Sequence, residues 1–249
     1  MNSPVYIMWL RQIKRYWRSK ARVIGSLAQP LLFLVALGFG FGPIFEKAGG
    51  GNYIEFLAPG IIAMSILFTA MFNGIEVIWD RQFGFLKETL VAPVSRYKIM
   101  LGRTLGGATV AMIQGFLVLI ISLFIGFRIS NIPLMFVSFI FMFITAILFT
   151  ALGTAIASKL EDMQGFQLIM NFIIMPLFFL SGALFPIDSL PGALAFVTKL
   201  NPLSYGVDGI RGALIGTFHL GIFNDFLILI IITGIITLIG TYLFSKVEV

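Results

Sequence analysis

Residues 132–157 read IPLMFVSFIFMFITAILFTALGTAIA, 26 positions without one charged side chain. About 20 consecutive apolar residues suffice for a helix to cross a ~30 Å hydrocarbon core. Five more stretches have the same character: 23–45, 56–79, 105–127, 166–185 and 226–244. Glu76, near the end of the second, is the one charged residue among the six. A charge near the bilayer centre costs about 2.5–3.5 kcal/mol on insertion scales, so the exclusion carries information. The reading is an all-α integral membrane protein with six transmembrane helices.

Composition agrees. The 249 residues are 59% hydrophobic and 11% charged, with 27 Phe and a mean hydropathy of +1.01. Soluble domains carry about 25% charged residues. The absence of cysteine excludes disulfides, thiolate metal sites and Cys nucleophiles, and a single histidine, His219, excludes multi-His metal sites. The net charge of +6 comes from basic residues bunched beside apolar spans. That pattern reads as a membrane surface rather than nucleic acid.

Lys and Arg set the expected orientation. With the N-terminus inside, 13 of the 17 basic residues fall inside: Arg11, Lys14, Arg15, Arg18, Lys20, Arg22, Arg81, Lys87, Arg96, Lys98, Arg103, Lys159 and Lys246. The other four, Lys47, Arg128, Lys199 and Arg211, fall outside. Six crossings return the C-terminus to the cytoplasm of a multi-pass protein of a prokaryotic cell membrane. The first span, with 23 uncharged residues, exceeds the 7–15 residues of a typical signal-peptide core and reads as retained.

Three segments break the pattern of spans within one permease domain, 1–249. Residues 1–22 form a cytoplasmic interfacial helix, with Val5, Tyr6, Trp9, Ile13, Tyr16 and Trp17 on one face and Arg11, Lys14, Arg15 and Arg18 opposite. Such a helix lies among lipid headgroups. Residues 80–103 form the longest cytoplasmic loop. Gly84 breaks the chain, residues 85–92 form a short helix, and Pro93 ends it. Ser95 is placed to cap the next helix, although Lys98 stands where a capping box wants Glu or Gln. Phe83, Phe85, Leu86, Leu90 and Val91 give the loop apolar surface suited to docking. Residues 186–225 are cut by Pro186, Pro191 and Pro202 and by six glycines. They fit two short re-entrant or interfacial helices on the outer side, near 190–200 and 205–215.

Tests for chemistry come out empty. Gly38-Phe39-Gly40-Phe41-Gly42 lies in a span and meets Pro43 where a dinucleotide loop needs its third glycine. No GxxxxGK[ST] occurs, so no P-loop holds ATP here. Ser181 lacks the flanks of a protease nucleophile, and no catalytic residue is assigned. Among polar residues in the spans, Asn73, Gln114, Gln167 and Asn171 are read as interhelical hydrogen-bonding groups or path residues. Glu76 is read as a headgroup-level residue bonded to its neighbours. Phe172, Phe178, Phe179 and Phe185 are read as packing, and as path residues where the fifth span faces a partner.

Two segments resemble the type-2 ATP-binding-cassette (ABC) exporter permeases. One is Phe83-Gly84-Phe85-Leu86-Lys87-Glu88-Thr89-Leu90-Val91-Ala92-Pro93-Val94-Ser95-Arg96, followed by Leu101-Gly102-Arg103. It is similar to that family's cytoplasmic G-x-x-E-x-L-x-x-[TA]-P-V-S-R run, with Glu88 one position later than the pattern. The other is Leu180-Ser181-Gly182, Phe185-Pro186, then Asn201-Pro202-Leu203-Ser204-Tyr205 and Arg211. It looks like the family's C-terminal signature, carried by Pro202, Tyr205 and Arg211. The resemblance covers essentially the whole chain.

The resemblance implies a partnership. Two permeases, here expected as a homodimer, would work with two ABC-type ATPase subunits that carry ATP and Mg, with no cofactor in this chain. Phe83, Gly84, Leu86, Glu88, Leu90, Pro93, Val94, Ser95 and Arg96 would couple to the ATPases. So would the N-terminal helix, through Trp9, Arg11, Lys14, Arg15, Trp17 and Arg18. Asn73, Glu76, Asn171, Phe178, Phe179 and Phe185 are candidate path residues along spans one, two and five. The expected substrate is hydrophobic or amphiphilic, drug or lipid-like; a polysaccharide or lipid-linked glycan is the alternative. A stand-alone secondary transporter is more remote, because it would want charge pairs or broken helices at the midplane.

Overall fold

The computed structural model describes residues 3–49, 51–187 and 191–247. Every regular element among them is helical: eleven α-helices and no strand. Helix α1 (Pro4–Arg18) precedes α2 (Lys20–Lys47), α3 (Tyr53–Phe72) and α4 (Ile75–Gln82). The short α5 (Phe85–Val91) leads to α6 (Arg96–Ile125), α7 (Ile132–Ala157) and α8 (Met163–Phe179). Helices α9 (Gly192–Leu200), α10 (Pro202–Ile215) and α11 (Ile222–Ser245) complete the chain. The protein is an all-α membrane protein.

Five segments are long and apolar enough to span: α2, the combined α3–α4 over Tyr53–Gln82, α6, α7 and α11. Helices α3 and α4 join through a tightened turn, in which Gly74 N–H bonds the Met71 carbonyl at 3.1 Å. The fifth expected span differs. Helix α8 has 17 residues, about 25 Å at 1.5 Å per residue, and ends before Phe185. Gly182 turns the chain away with φ +72°. The segment beyond α8 stays inside the protein: Ser181, Ala183, Leu184 and Ile187 are buried outside any α-helix. Irregular backbone at membrane depth is tolerated where protein surrounds it. The third expected span starts earlier than its apolar stretch, because α6 carries its basic first turns unbroken from Arg96. Ser95 is the N-cap of α6, but its side chain makes no cap bond.

Helix α3 is the centre of the bundle. Its residues 57–67 are buried without exception, many of them small (Ala58, Gly60, Ala63, Ser65), which lets α2, α6, α7 and α10 approach closely. Helix α10 is nearly as enclosed, buried from Leu203 to Leu214, whereas α9 lies at the surface. Both match the two short helices expected there; position 190, at the start of the first, lies outside the described residues.

Helix α1 is amphipathic, as expected, but its buried side is turned by roughly 80° from the aromatic face. Met8, Gln12 and Tyr16 are buried, while Tyr6 and Trp17 are exposed. The cause lies on α6. Gly102 and Gly106, spaced four apart, leave a groove in which Met8 and Gln12 sit so close that a Cβ on either glycine would stand 2.6–2.7 Å from their side chains. Small residues spaced i, i+4 permit this approach. Trp9 then donates to Thr109 Oγ1 at 3.1 Å and Tyr16 to Gln114 Oε1 at 2.6 Å. The helix packs on protein with one side and presents Tyr6, Trp17 and its cations with the other.

Candidate functional site

The end of the bundle that carries α1 is organised around two carboxylates one helical turn apart on α4, Glu76 and Asp80. Both are nearly fully buried, at 4% and 2% exposure. Asp80 pairs with the wholly buried Arg103 of α6 and, at 2.7 Å, with Arg11 of α1. Arg15 stands 3.6 Å from Asp80 and 3.7 Å from Glu76. Arg22, at the start of α2, reaches Glu76 at 2.9 Å. Two acids thus bind four arginines from three helices into one cluster. A buried charge pair is strongly destabilising to break on one side, so the Asp80–Arg103 pair dominates. The pairs through Arg11, Arg15 and Arg22, each about a third exposed, are screened by solvent and weaker.

Next to this cluster, Gly84 turns the chain with φ +78°, a conformation that favours glycine, and so sets the direction of α5. Leu86 is fully buried and anchors α5, with Leu90 and Val94 packed partly against the core. Phe83, Phe85 and Val91 stay exposed at 63%, 52% and 85%. Glu88, Pro93 and Ser95 are also on the surface. Between α1 and the α4–α5 corner lies an open groove of about 840 Å³. Arg11, Lys14, Arg15 and Arg18 line one wall, and Trp79, Phe83 and Phe85 the other. Arg15 also lies over the Trp79 ring at 5.8 Å. Of the residues expected to couple, Arg11, Lys14, Arg15 and Arg18 of α1 and Phe83 of the loop line this concave, basic and aromatic surface, while Leu90 and Arg96 do not. Trp9 and Trp17 are not in it: Trp9 packs on α6 and Trp17 points away.

Two basic residues do local work that sequence did not reveal. The Arg81 guanidinium donates to the carbonyls of Ser158 (3.0 Å) and Leu160 (3.1 Å), closing the end of α7. Arg96 donates to the carbonyls of Ser245 and Val247 (3.0 Å), closing α11. Helix C-termini leave carbonyls unpaired and favour cations. These residues count toward the positive-inside bias, and each also caps a helix.

The signature segment forms a second polar cluster at the other end. Asn201 caps α10 by accepting from Leu203 N–H at 3.0 Å and donates to the Leu177 carbonyl at 2.6 Å. Pro202 occupies the first turn, where its missing N–H costs nothing. Tyr205 donates to the Lys199 carbonyl at 2.5 Å. Arg211, 1% exposed, gathers the carbonyls of Phe56, Gly182 and Ala183 at 3.0–3.3 Å and lies 4.0 Å from the Phe56 ring centroid. Burial pulls its guanidinium down to about 10, and nearby Asp208 works against the shift. It stays cationic at neutral pH and satisfies the carbonyls freed where α8 breaks off. Asp208, not singled out from sequence, accepts from His219 and Leu220 N–H at 2.9–3.1 Å.

The candidate path residues do not converge. Asn73 and Glu76 are buried inside the chain, and Phe178 is fully buried against Phe33. Phe178 is a packing residue. Gln167, Asn171, Phe172 and Phe179 share an exposed face of α8, and Phe185 is exposed beyond its end. Gln114 forms the expected interhelical bond, to Tyr16. Asp80, Arg22 and Arg103 were missed as site residues. Acids four apart at the end of a span, amid an excess of cations, were the available signal.

The model of the ABC-2 type transporter family matches residues 4–215, taking in the groove, the cluster and the signature segment. The chain belongs to this family. An ABC-2 chain of similar sequence is the transport permease ycf38 of Cyanophora paradoxa, 30% identical over 84% of this chain and 73% of that protein. The ycf38 permease of Porphyra purpurea is 32% identical over 81% and 70%. Nodulation protein J of Rhizobium meliloti (strain 1021) is 29% identical over 81% and 78%. As an ABC-2 protein the chain is a membrane subunit of an ABC transporter, and membership implies association with ABC ATPase subunits.

Proposed function

We propose that this chain is the permease of an ABC exporter, paired with a second copy of itself and driven by two ATPase subunits that bind ATP and Mg. The groove between α1 and the α4–α5 corner carries the reading. It joins exposed aromatics to a basic wall and rests on the buried Asp80–Arg103 pair, so a load on α5 reaches α1, α2 and α6 through one rigid cluster. Allosteric coupling needs such an element, biased by both ATP and substrate. The groove lies on the end that carries 13 of the 17 basic residues, which argues for the cytoplasmic side.

Helix α8 supports pairing. Gln167 and Asn171 are exposed at spacing i, i+4 in an apolar helix, and amides facing hydrocarbon lack partners. A second copy or a polar path beside α8 supplies them. The exposed Phe172, Phe179 and Phe185 favour an amphiphilic substrate, drug or lipid-like. The test is reconstitution with the ABC ATPase encoded nearest to this chain's gene. Expected are a complex with two copies of each chain and ATP hydrolysis that responds to amphiphiles. Failure of every ABC ATPase to co-purify overturns the reading.

A further inference from the structure

Four basic side chains from four segments face a second open basin, of about 1040 Å³. Lys87 comes from α5, Arg96 begins α6, Lys159 follows α7 and Lys246 follows α11. By helical spacing, Lys87, Leu90 and Val91 lie on the face of α5 opposite Phe85, so this basin is separate from the docking groove. The charge pattern differs sharply from that around Asp80. There four arginines pair with two carboxylates; here no acid is among the described residues that line the basin. Lys87 and Lys159 form no ion pair among the described residues. Lys246 lies 4.5 Å over the Tyr242 ring.

The apolar surroundings point the same way. Val91 is 85% exposed at the basin. Above it, Ile231, Ile235, Leu238 and Tyr242 form an exposed stripe along α11 at spacings of four, three and four. The basin lies where α6, α7 and α11 reach one end of the bundle, and the positive-inside pattern sets that end at the membrane surface. Converging like charges repel one another, and an anion relieves this. An amphiphile with an anionic head and long apolar chains satisfies both the cations and the stripe.

We propose that this basin binds the phosphate headgroup of an anionic phospholipid, whose acyl chains run along α11. Since Lys87 and Leu90 belong to α5, the bound lipid braces the coupling helix from behind. The inference requires the bundle to lie in a membrane and does not depend on which ATPase or substrate it serves.

The test uses the full chain in mild detergent, mixed with equal amounts of phosphatidylglycerol and phosphatidylcholine, with retained lipid counted by native mass spectrometry. Wild type is expected to retain phosphatidylglycerol preferentially. A basic side chain near an anionic surface contributes about fivefold in affinity. K159Q and K246Q are each expected to lower the preference several-fold, and K159Q/K246Q by about tenfold or more. K159R/K246R keeps it, as does the charge-matched K47Q/K199Q at the opposite end. An unchanged preference in K159Q/K246Q and both single variants overturns the proposal, and so does an equal fall in K47Q/K199Q. Loss of ATPase co-purification with lipid preference intact would assign the basin to an acidic protein surface and also overturn it.

Discussion

Asp80 shows how much one side chain can organise in a low-dielectric site. It holds the buried Arg103 and also Arg11, so it ties α4 to α6 and to α1. Removing it leaves Arg103, 2% exposed, without its counter-charge, a loss of about 3–5 kcal/mol. Asp80→Ala is expected to lower the melting temperature in detergent on the order of 10 °C. Replacing both partners by apolar residues, as in D80L/R103M, should recover part of it, since the uncompensated charge is then gone. An unchanged melting temperature for Asp80→Ala would mean that the cluster does not hold the bundle together. Gly84 acts through backbone geometry. Its φ of +78° costs a residue with a Cβ about 1–2 kcal/mol. A transporter assembled with Gly84→Ala should export fewer molecules per ATP its ATPase subunits hydrolyse, and Gly84→Asn should be milder because Asn tolerates this region. Normal export per ATP in Gly84→Ala would deny α5 the coupling role. The sequence marked Gly84 as a break and did not single out Asp80. A turn glycine is a local signal, whereas the worth of Asp80 lies in the two other helices, α1 and α6, whose arginines meet it.

At the scale of elements, α1 depends on the groove that Gly102 and Gly106 open on α6. Overpacking such a contact costs typically 1–3 kcal/mol. Gly106→Leu is expected to free α1 while α6 and the bundle remain. Limited proteolysis should then cut between α1 and α2 faster, and ATPase co-purification should fall, with membrane insertion unchanged. If cleavage rates match wild type, α1 is held by lipid and not by α6. Amphipathicity was legible in the sequence. The direction of the buried face was not, since the largest side chains did not mark it. Met8 and Gln12 go inward because α6 is narrow opposite them. Helix α8 gives a similar lesson: its apolar run continues to Phe185, but the helix stops at Phe179. Gly182 and the carbonyl-binding Arg211 stabilise an irregular ending that hydropathy cannot register.

At the scale of the molecule, the positive-inside reading places α1, α5 and both basins on the cytoplasmic side. The chain contains no cysteine, which suits single-cysteine labelling. Lys47→Cys and Lys199→Cys, both at exposed positions, should react with an impermeant maleimide in intact cells. Ser3→Cys and Ser245→Cys should react only after permeabilisation. The reverse pattern would invert the protein and move the docking groove to the wrong side for ATP. The exposed amides of α8 belong to this scale too. A cross-link between two copies through Asn171→Cys would put that face at the dimer interface, and none would leave it to a path or to lipid.

The sequence by itself determined the membrane class, the all-helical fold, the place of five of the six expected spans and the two interrupted segments where function concentrates. Those follow from hydropathy, charge and turn residues, which act locally. Only the tertiary structure decided that Glu76 is a buried ion-pair partner, that Phe178 is core, and that Arg81 and Arg96 close helix ends. It also brought α1 and α5 together at one groove. Each of these depends on which groups, distant in the chain, share a low-dielectric neighbourhood, and that proximity is set by helix packing.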